Sequence, residues 1–156
     1  AVDAYRLPYI PWHLTTQEFF RETKSHLTKT GVLAINVGRT PTDRRLVNAL
    51  SATLLSVYPT VHVIDVPNTF NSILVATISA TSPTNLELNL ANLPSNSHPL
   101  LLTMLEKTIQ NLVPTAPSDT IFTDDRAPVE QLTDSILLNY LLQYNTDALP
   151  STIPEI

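Results

Sequence analysis

The spacing of apolar residues along the chain predicts alternating helices and strands. Residues 1–5 have the pattern of the last residues of a strand. A helix is expected to begin at Thr15, because Thr15 and Glu18 have the spacing of a capping box. Residues 31–37 form a nearly continuous apolar run, which is typical of a strand buried on both faces. A second helix is predicted from about Thr40 to Tyr58.

The middle of the chain carries the pattern of a hairpin. Two apolar runs, at 61–66 and at about 70–79, are separated by the short link Pro67-Asn68-Thr69. So short a link between two strands favours an antiparallel pair. Residues 81–96 are rich in Asn, Ser, Thr and Pro and are predicted to form a loop. Within that loop three leucines alternate with other residues as in a short strand (Leu86, Leu88 and Leu90).

Two further helices complete the pattern, one over residues 100–112 and one that ends at about Tyr144. The order of elements predicts an α/β fold that resembles the second half of a Rossmann-like, doubly wound sheet. Such a sheet would end in an antiparallel strand pair and carry helices on both faces. We expect one domain over residues 1–144 and a flexible tail over residues 145–156.

Composition narrows the possible functions. Of 156 residues, 43% are hydrophobic and 15% are charged, which argues against a disordered chain. The net charge is −5, and no basic patch indicates nucleic-acid binding. Cysteine is absent, and the four histidines lack metal-ligand spacing, so no metal site is expected. No apolar run approaches the roughly 20 residues that span a bilayer, so we expect a soluble segment without membrane contact.

Glycine usage bears directly on cofactor binding. The chain has only two glycines, Gly31 and Gly38. A phosphate-binding loop needs several glycines close together, because its backbone must approach the ligand without a Cβ atom in the way. We therefore expect that this chain alone binds no nucleotide cofactor, and that it is part of a larger catalytic domain.

Three segments resemble the spermidine synthase-like family. Residues 2–20 contain an Asp after a strand end and the pattern Leu14-Thr-Thr-Gln-Glu18-Phe-Phe, which is similar to the start of that family's next helix. Residues 31–37 match the strand that follows this helix. Residues 123–130, Thr-Asp-Asp-Arg-Ala-Pro-Val-Glu, look like a signature of homologues that are often fused to membrane-spanning segments.

The resemblance implies a fold, a reaction and a catalytic residue. It implies a class I methyltransferase-type fold and transfer of an aminopropyl group from decarboxylated S-adenosylmethionine to a polyamine, with S-adenosylmethionine as the related cofactor. Asp3 matches the first Asp of the family's Asp-Ser-Ser-Asp-Pro type loop and is the implied catalytic residue. Counting forward without gaps places Arg6 at the position of the second, base-like Asp, where a guanidinium would not act as a base.

Four more residues are candidates for a substrate or cofactor pocket: Tyr5, His13, Asp124 and Asp125. Tyr5 and His13 also fit ordinary packing of a surface loop. Asp124 and Asp125 also fit a structural role, because acids before a helix whose first turn contains Pro128 favour the helix dipole.

The sequence leaves two readings of function open. The first is a spermidine synthase-like catalytic domain, to which this chain contributes a part and in which it is inactive alone. The alternative is a non-catalytic assembly or regulatory module that keeps half of the fold, or another S-adenosylmethionine-dependent transferase. In either case we expect a homo-oligomer formed through an exposed strand edge or an apolar helix face. A cytoplasmic location is expected, although a longer parent protein could be membrane-tethered.

Overall fold

The computed structural model describes residues 1–4 and 9–143. Its helices are α1 (Gln17–Ser25), α2 (Arg45–Leu55), α3 (Pro83–Ala91), α4 (Pro99–Gln110) and α5 (Val129–Gln143), and a 3₁₀ turn, Trp12–Leu14, precedes α1. Its strands are β1 (Val32–Gly38), β2 (Thr60–Asp65), β3 (Asn71–Thr77) and β4 (Leu112–Val113). The predicted α/β class is therefore confirmed.

The four strands form one sheet in the order β1-β3-β2-β4, and each neighbouring pair is antiparallel. The predicted antiparallel hairpin is β2–β3, and Asn68 in its turn has a positive φ of 61°. On the free edge of β1, Val2 lies parallel to the strand: its N–H donates to the carbonyl of Ala34 at 2.7 Å, and its carbonyl accepts from the N–H of Asn36 at 3.3 Å. Val2, β1 and β2 thus run in the same direction, with β3 reversed between β1 and β2.

One face of the sheet builds the hydrophobic core. The strand residues buried on this face are Leu33, Ile35, Val37, Val61, Val63, Leu74 and Ala76. Phe20 of α1, Leu50 of α2 and Ile136 of α5 belong to the same core. Each of the Val, Leu, Ile and Phe side chains in this set stabilises the fold by about 1.5–3 kcal/mol when it is fully buried.

The second face of the sheet corrects an expectation. Ala34 and Asn36 of β1 are only half-buried, so this strand alternates between a buried and a partly covered face and is not buried on both. The physical reason lies in helices α3 and α4. They pack against each other, and neither of them buries a single side chain. The helices that contribute to the core, α1, α2 and α5, pack on the buried face.

The start of α1 lies one residue later than predicted. Thr16, not Thr15, is the N-cap, and its hydroxyl accepts from the N–H of Phe19 at 3.2 Å. The hydroxyl of Thr15 instead donates to the carbonyl of Trp12 at 2.5 Å, which closes the preceding 3₁₀ turn. The carboxylate of Glu18 accepts from the backbone N–H of Asp124, so it does not complete a capping box.

The predicted loop over residues 81–96 is wrong for most of its length, because α3 occupies Pro83–Ala91. Ser82 is the N-cap, and its backbone N–H donates to the side-chain oxygen of Asn85 at 2.7 Å. This is a capping box in which Asn stands at the N3 position, where Glu or Gln is usual. Pro83 at the first helical position fits the helix because its missing N–H would be unpaired there anyway. The alternating leucines are therefore on a helix and not on a strand.

The predicted tail, residues 145–156, lies outside the described residues. Within the described part of the chain, no helix combines the length and the apolar character needed to cross a membrane.

Candidate functional site

Asp3 lies where the sheet presents the ends of its co-directional strands. Val2 pairs with Ile35, so Asp3 follows that bridge toward the end at which β1 finishes at Gly38 and β2 finishes at Asp65. We call this end of the sheet the carboxyl edge. Asp3 is exposed, and its carboxylate accepts a hydrogen bond from the side-chain amide of Asn36 at 3.3 Å. Open α/β sheets bind ligands at this edge.

The other candidates near the start of the chain are less well placed. Tyr5 lies outside the described residues, as does Arg6. His13 is exposed on the 3₁₀ turn, and its ring meets Trp12 edge to face with centroids 5.8 Å apart. No hydrogen bond or ion pair links His13 to Asp3 within residues 1–4 and 9–143.

Asp124 and Asp125 occupy the tip of a tight turn. Thr123 and Arg126 close this turn with two backbone hydrogen bonds of 3.1 and 2.9 Å. The N–H of Asp124 donates to the carboxylate of Glu18 at 3.0 Å, which fastens the turn to the first turn of α1. Both aspartate side chains are exposed, and in the described part of the chain neither is hydrogen-bonded to Asp3. The turn therefore contacts α1. No hydrogen bond joins its two aspartates to Asp3 within the described residues.

A polar cluster at the carboxyl edge was not predicted from the sequence. The carboxylate of Asp65 accepts two hydrogen bonds from Arg44, at 2.8 and 2.9 Å, in a bidentate pair. It also accepts from the hydroxyl of Ser72 at 2.6 Å and lies 3.3 Å from the Nε atom of Arg39. Arg39 Nε in turn donates to the Ser72 hydroxyl at 3.0 Å. We call these four residues the edge cluster.

The edge cluster holds its carboxylate ionised. Partial burial of Asp65 acts to raise its pKa, but hydrogen bonds from Arg44 and Ser72, together with the charges of Arg39 and Arg44, lower the pKa below its ordinary value. A neighbouring ion pair behaves in the same way. Hydrogen bonds from Arg45 lower the pKa of Asp43, whose carboxylate lies 2.7 Å from the guanidinium.

The sequence carried a signal for this cluster. Asp65 directly follows the apolar residues of β2, and Arg39 directly follows Gly38 at the end of β1. Polar residues at strand ends are the positions from which an α/β sheet recruits ligands. The contact between Arg39 and Asp65 could not be predicted from the sequence. It depends on the strand order, in which β3 lies between β1 and β2 and brings Ser72 into the cluster.

A cavity of about 500 Å³ lies at the opposite end of β2, lined by residues that include Thr60, His62, Thr81 and Val113. His62 shares a 2.8 Å hydrogen bond with Thr81, and burial lowers the pKa of the imidazole. Because this cavity adjoins the amino end of β2, it is separate from the carboxyl edge. Among the described residues no cluster of His, Asp or Glu could hold a metal ion.

Comparison with known proteins supports the resemblance to the spermidine synthase-like family. The chain is 31% identical over 149 aligned residues to a protein of Bifidobacterium longum named a probable polyamine aminopropyl transferase. The chain is therefore similar to an aminopropyl transferase, which agrees with the spermidine synthase-like resemblance. The match covers 84% of this chain, and the chain spans about a third (33%) of the length of that relative. No family model matches the chain, and no solved structure matches it.

Proposed function

We propose that this chain forms part of a spermidine synthase-like catalytic domain that transfers an aminopropyl group from decarboxylated S-adenosylmethionine to a polyamine. The observation that carries the proposal is the position of Asp3. Its exposed carboxylate lies at the carboxyl edge, in a chain related to a protein named as an aminopropyl transferase. The relative is about three times as long as the matched region, so the activity is proposed for a longer protein.

The proposed reaction needs a carboxylate at such an edge. The amine nitrogen forms a bond to the aminopropyl carbon, and the bond between that carbon and the sulfonium sulfur breaks, which releases methylthioadenosine. The nucleophilic amine must give up a proton. A carboxylate can hold the ammonium form of the amine and accept that proton, directly or through water. Asp3 is the residue to which we assign this role.

The strand arrangement supports a methyltransferase-type sheet. Three segments run in one direction, with the reversed strand β3 between β1 and β2. This agrees with the second half of a doubly wound sheet that ends in an antiparallel pair. The exposed positions of His13, Asp124 and Asp125 allow contact with a ligand, but their place in a pocket stays a prediction. The comparison does not favour the non-catalytic assembly module. A cytoplasmic location also stays a prediction.

Ligand binding provides the first test. Calorimetric titration with decarboxylated S-adenosylmethionine and methylthioadenosine is carried out on this chain and on a chimera in which it replaces the matching third of the Bifidobacterium relative. We expect binding tighter than about 100 μM, roughly −5.5 kcal/mol, for the chimera only. The relative supplies there the two thirds of its own length that this chain does not match. A folded chimera that binds neither ligand would contradict the proposal.

We also propose that the chain associates with a second copy of itself through helices α3 and α4. Five large apolar side chains of these helices are 43–61% exposed: Leu88, Leu100, Leu101, Leu102 and Met104. These helices carry only three formally charged side chains in a chain of net charge −5, so two copies can approach here with little repulsion. A lipid surface is less suited, because membrane-bound amphipathic helices are rich in Lys and Arg.

A further inference from the structure

The guanidinium of Arg39 is the most deeply placed cation at the carboxyl edge. Its side chain is only 11% exposed. The Nε atom donates to Ser72 and lies against Asp65. Within residues 1–4 and 9–143, the two terminal nitrogens, Nη1 and Nη2, donate no hydrogen bond. A guanidinium carries five N–H donors, so four of them lack a protein acceptor. Neither nitrogen is fully buried, so an oxyanion from solution can reach both of them.

The nearby carboxylate of Asp65 meets Arg39 at Nε, 3.3 Å away, and is shared with other donors. Asp65 already accepts two hydrogen bonds from Arg44 and one from Ser72. Beside it, Asp43 is engaged by Arg45 through both carboxylate oxygens. In these contacts three guanidiniums meet two carboxylates. Asp3 also lies at the carboxyl edge, but its carboxylate accepts from Asn36 and not from any of these arginines. The start of α2, whose N-cap is Arg44, adds the positive end of a helix dipole.

We propose that the edge cluster is a binding site for an oxyanion, a carboxylate or a phosphate group, held by Nη1 and Nη2 of Arg39. Two parallel N–H donors match the two oxygens of such a group, and hydrogen bonds from a guanidinium to an oxyanion are charge-assisted. A simple polyamine carries no oxyanion, so the site recognises a different group from the amine of the proposed transfer reaction. The proposal does not depend on that reaction.

Anion titration of this chain tests the site. The probes are sodium acetate and inorganic phosphate, each compared with sodium chloride at equal ionic strength, and the readouts are calorimetry and the side-chain ¹⁵N resonance of Arg39. We expect saturable binding that shifts this resonance, and a loss of affinity of about tenfold or more in Arg39→Gln. Arg21→Gln, at a 57% exposed guanidinium on α1, is the matched control and should bind as the wild type does.

The two probes also distinguish the sources of the oxyanion. Stronger binding of acetate would indicate a carboxylate ligand, and stronger binding of phosphate would indicate a phosphorylated one. Equal response to chloride, or unchanged affinity in Arg39→Gln, would overturn the proposal.

The variant Asp65→Asn distinguishes an anion-binding role of Arg39 from a purely structural one, because only the first predicts tighter binding of the probe. Removing the competing carboxylate should tighten binding of the probe by about tenfold, since the anion then takes its place between Arg39 and Arg44. The probe should also raise the melting temperature of this variant more than that of the wild type. If Asp65→Asn does not fold, Arg44→Gln replaces it. Asp65 is then free to neutralise Arg39, and binding should weaken. A change in the opposite sense in the folded variant would refute the site.

Discussion

Replacing Asp65 by Asn should destabilise the protein by about 2–3 kcal/mol near neutral pH. Removing one partner of a fully buried ion pair costs about 3–5 kcal/mol, because the other charge stays buried and unpaired. Here the carboxylate is 24% exposed, Arg44 is 27% exposed and Arg39 is 11% exposed, so water screens part of that loss. The neutral amide also directs an N–H group toward a guanidinium that needs an acceptor.

The stability loss caused by Asp65→Asn should shrink as the pH falls. The pKa of Asp65 is lowered in the folded protein, so its stabilisation is fully present above its unfolded value of about 3.9 and is lost as the pH falls through the lower folded value. The free energies of unfolding of wild type and Asp65→Asn should therefore differ most near neutral pH and converge below about pH 3.9.

Urea unfolding followed by circular dichroism measures this difference, in chloride media adjusted with HCl so that no oxyanion occupies the site. For a chain of this size the loss corresponds to roughly 5–10 °C in melting temperature. Asp119→Asn, at an exposed loop position, is the matched control and should change stability by less than about 0.5 kcal/mol. A loss in Asp65→Asn no larger than in this control, or one that persists undiminished in acid, would refute the reasoning.

Three further predictions follow from packing, capping and surface exposure. Phe122→Ala should cost about 3–5 kcal/mol in unfolding free energy, because the ring is fully buried, whereas Ile121→Ala beside it, 44% exposed, should cost less than about 1 kcal/mol. Thr16→Ala should lower the free energy of unfolding by about 1 kcal/mol through loss of the α1 cap. Thr16→Ser should keep most of the wild-type stability, because serine also caps helices. By light scattering at about 50 μM, Leu101→Glu should convert a dimer to a monomer, and Leu55→Glu, at similar exposure on α2, should not. A wild-type monomer at this concentration would contradict self-association.

Strong local patterns predicted most of the fold. The apolar run at 31–37 and the short turn at Pro67-Asn68-Thr69 identified β1 and the β2–β3 hairpin, because continuous hydrophobicity and a tight link leave few alternatives. Helix α3 was missed because Asn and Thr have weak helix propensity, and its Ser82–Asn85 cap replaces the usual acid with an amide. The error at the start of α1 arose because two adjacent threonines could both act as caps.

Only the part of the candidate site that lies at the end of a single strand could be predicted from the sequence. Asp3 was assigned because it matches the first Asp of the loop in the family that the sequence resembles, and its position after a strand end agrees with a place at the carboxyl edge. The Arg39–Asp65–Ser72 contacts depend on how three strands are ordered in the sheet, which no local pattern specifies. The half-covered second face of the sheet could not be foreseen either, because it depends on α3 and α4 packing against each other.

The central claim is that this chain contributes the catalytic carboxylate of an aminopropyl transfer site. It is tested most directly by turnover of the chimera with the Bifidobacterium relative, with methylthioadenosine release from decarboxylated S-adenosylmethionine measured in the presence of putrescine or spermidine. We predict turnover that falls by about 10²–10⁴ in Asp3→Asn, the typical contribution of a positioned proton acceptor, and is unchanged in Asp119→Asn. A cooperatively folded chimera that shows no turnover, or one equally active with Asn at position 3, would contradict the claim.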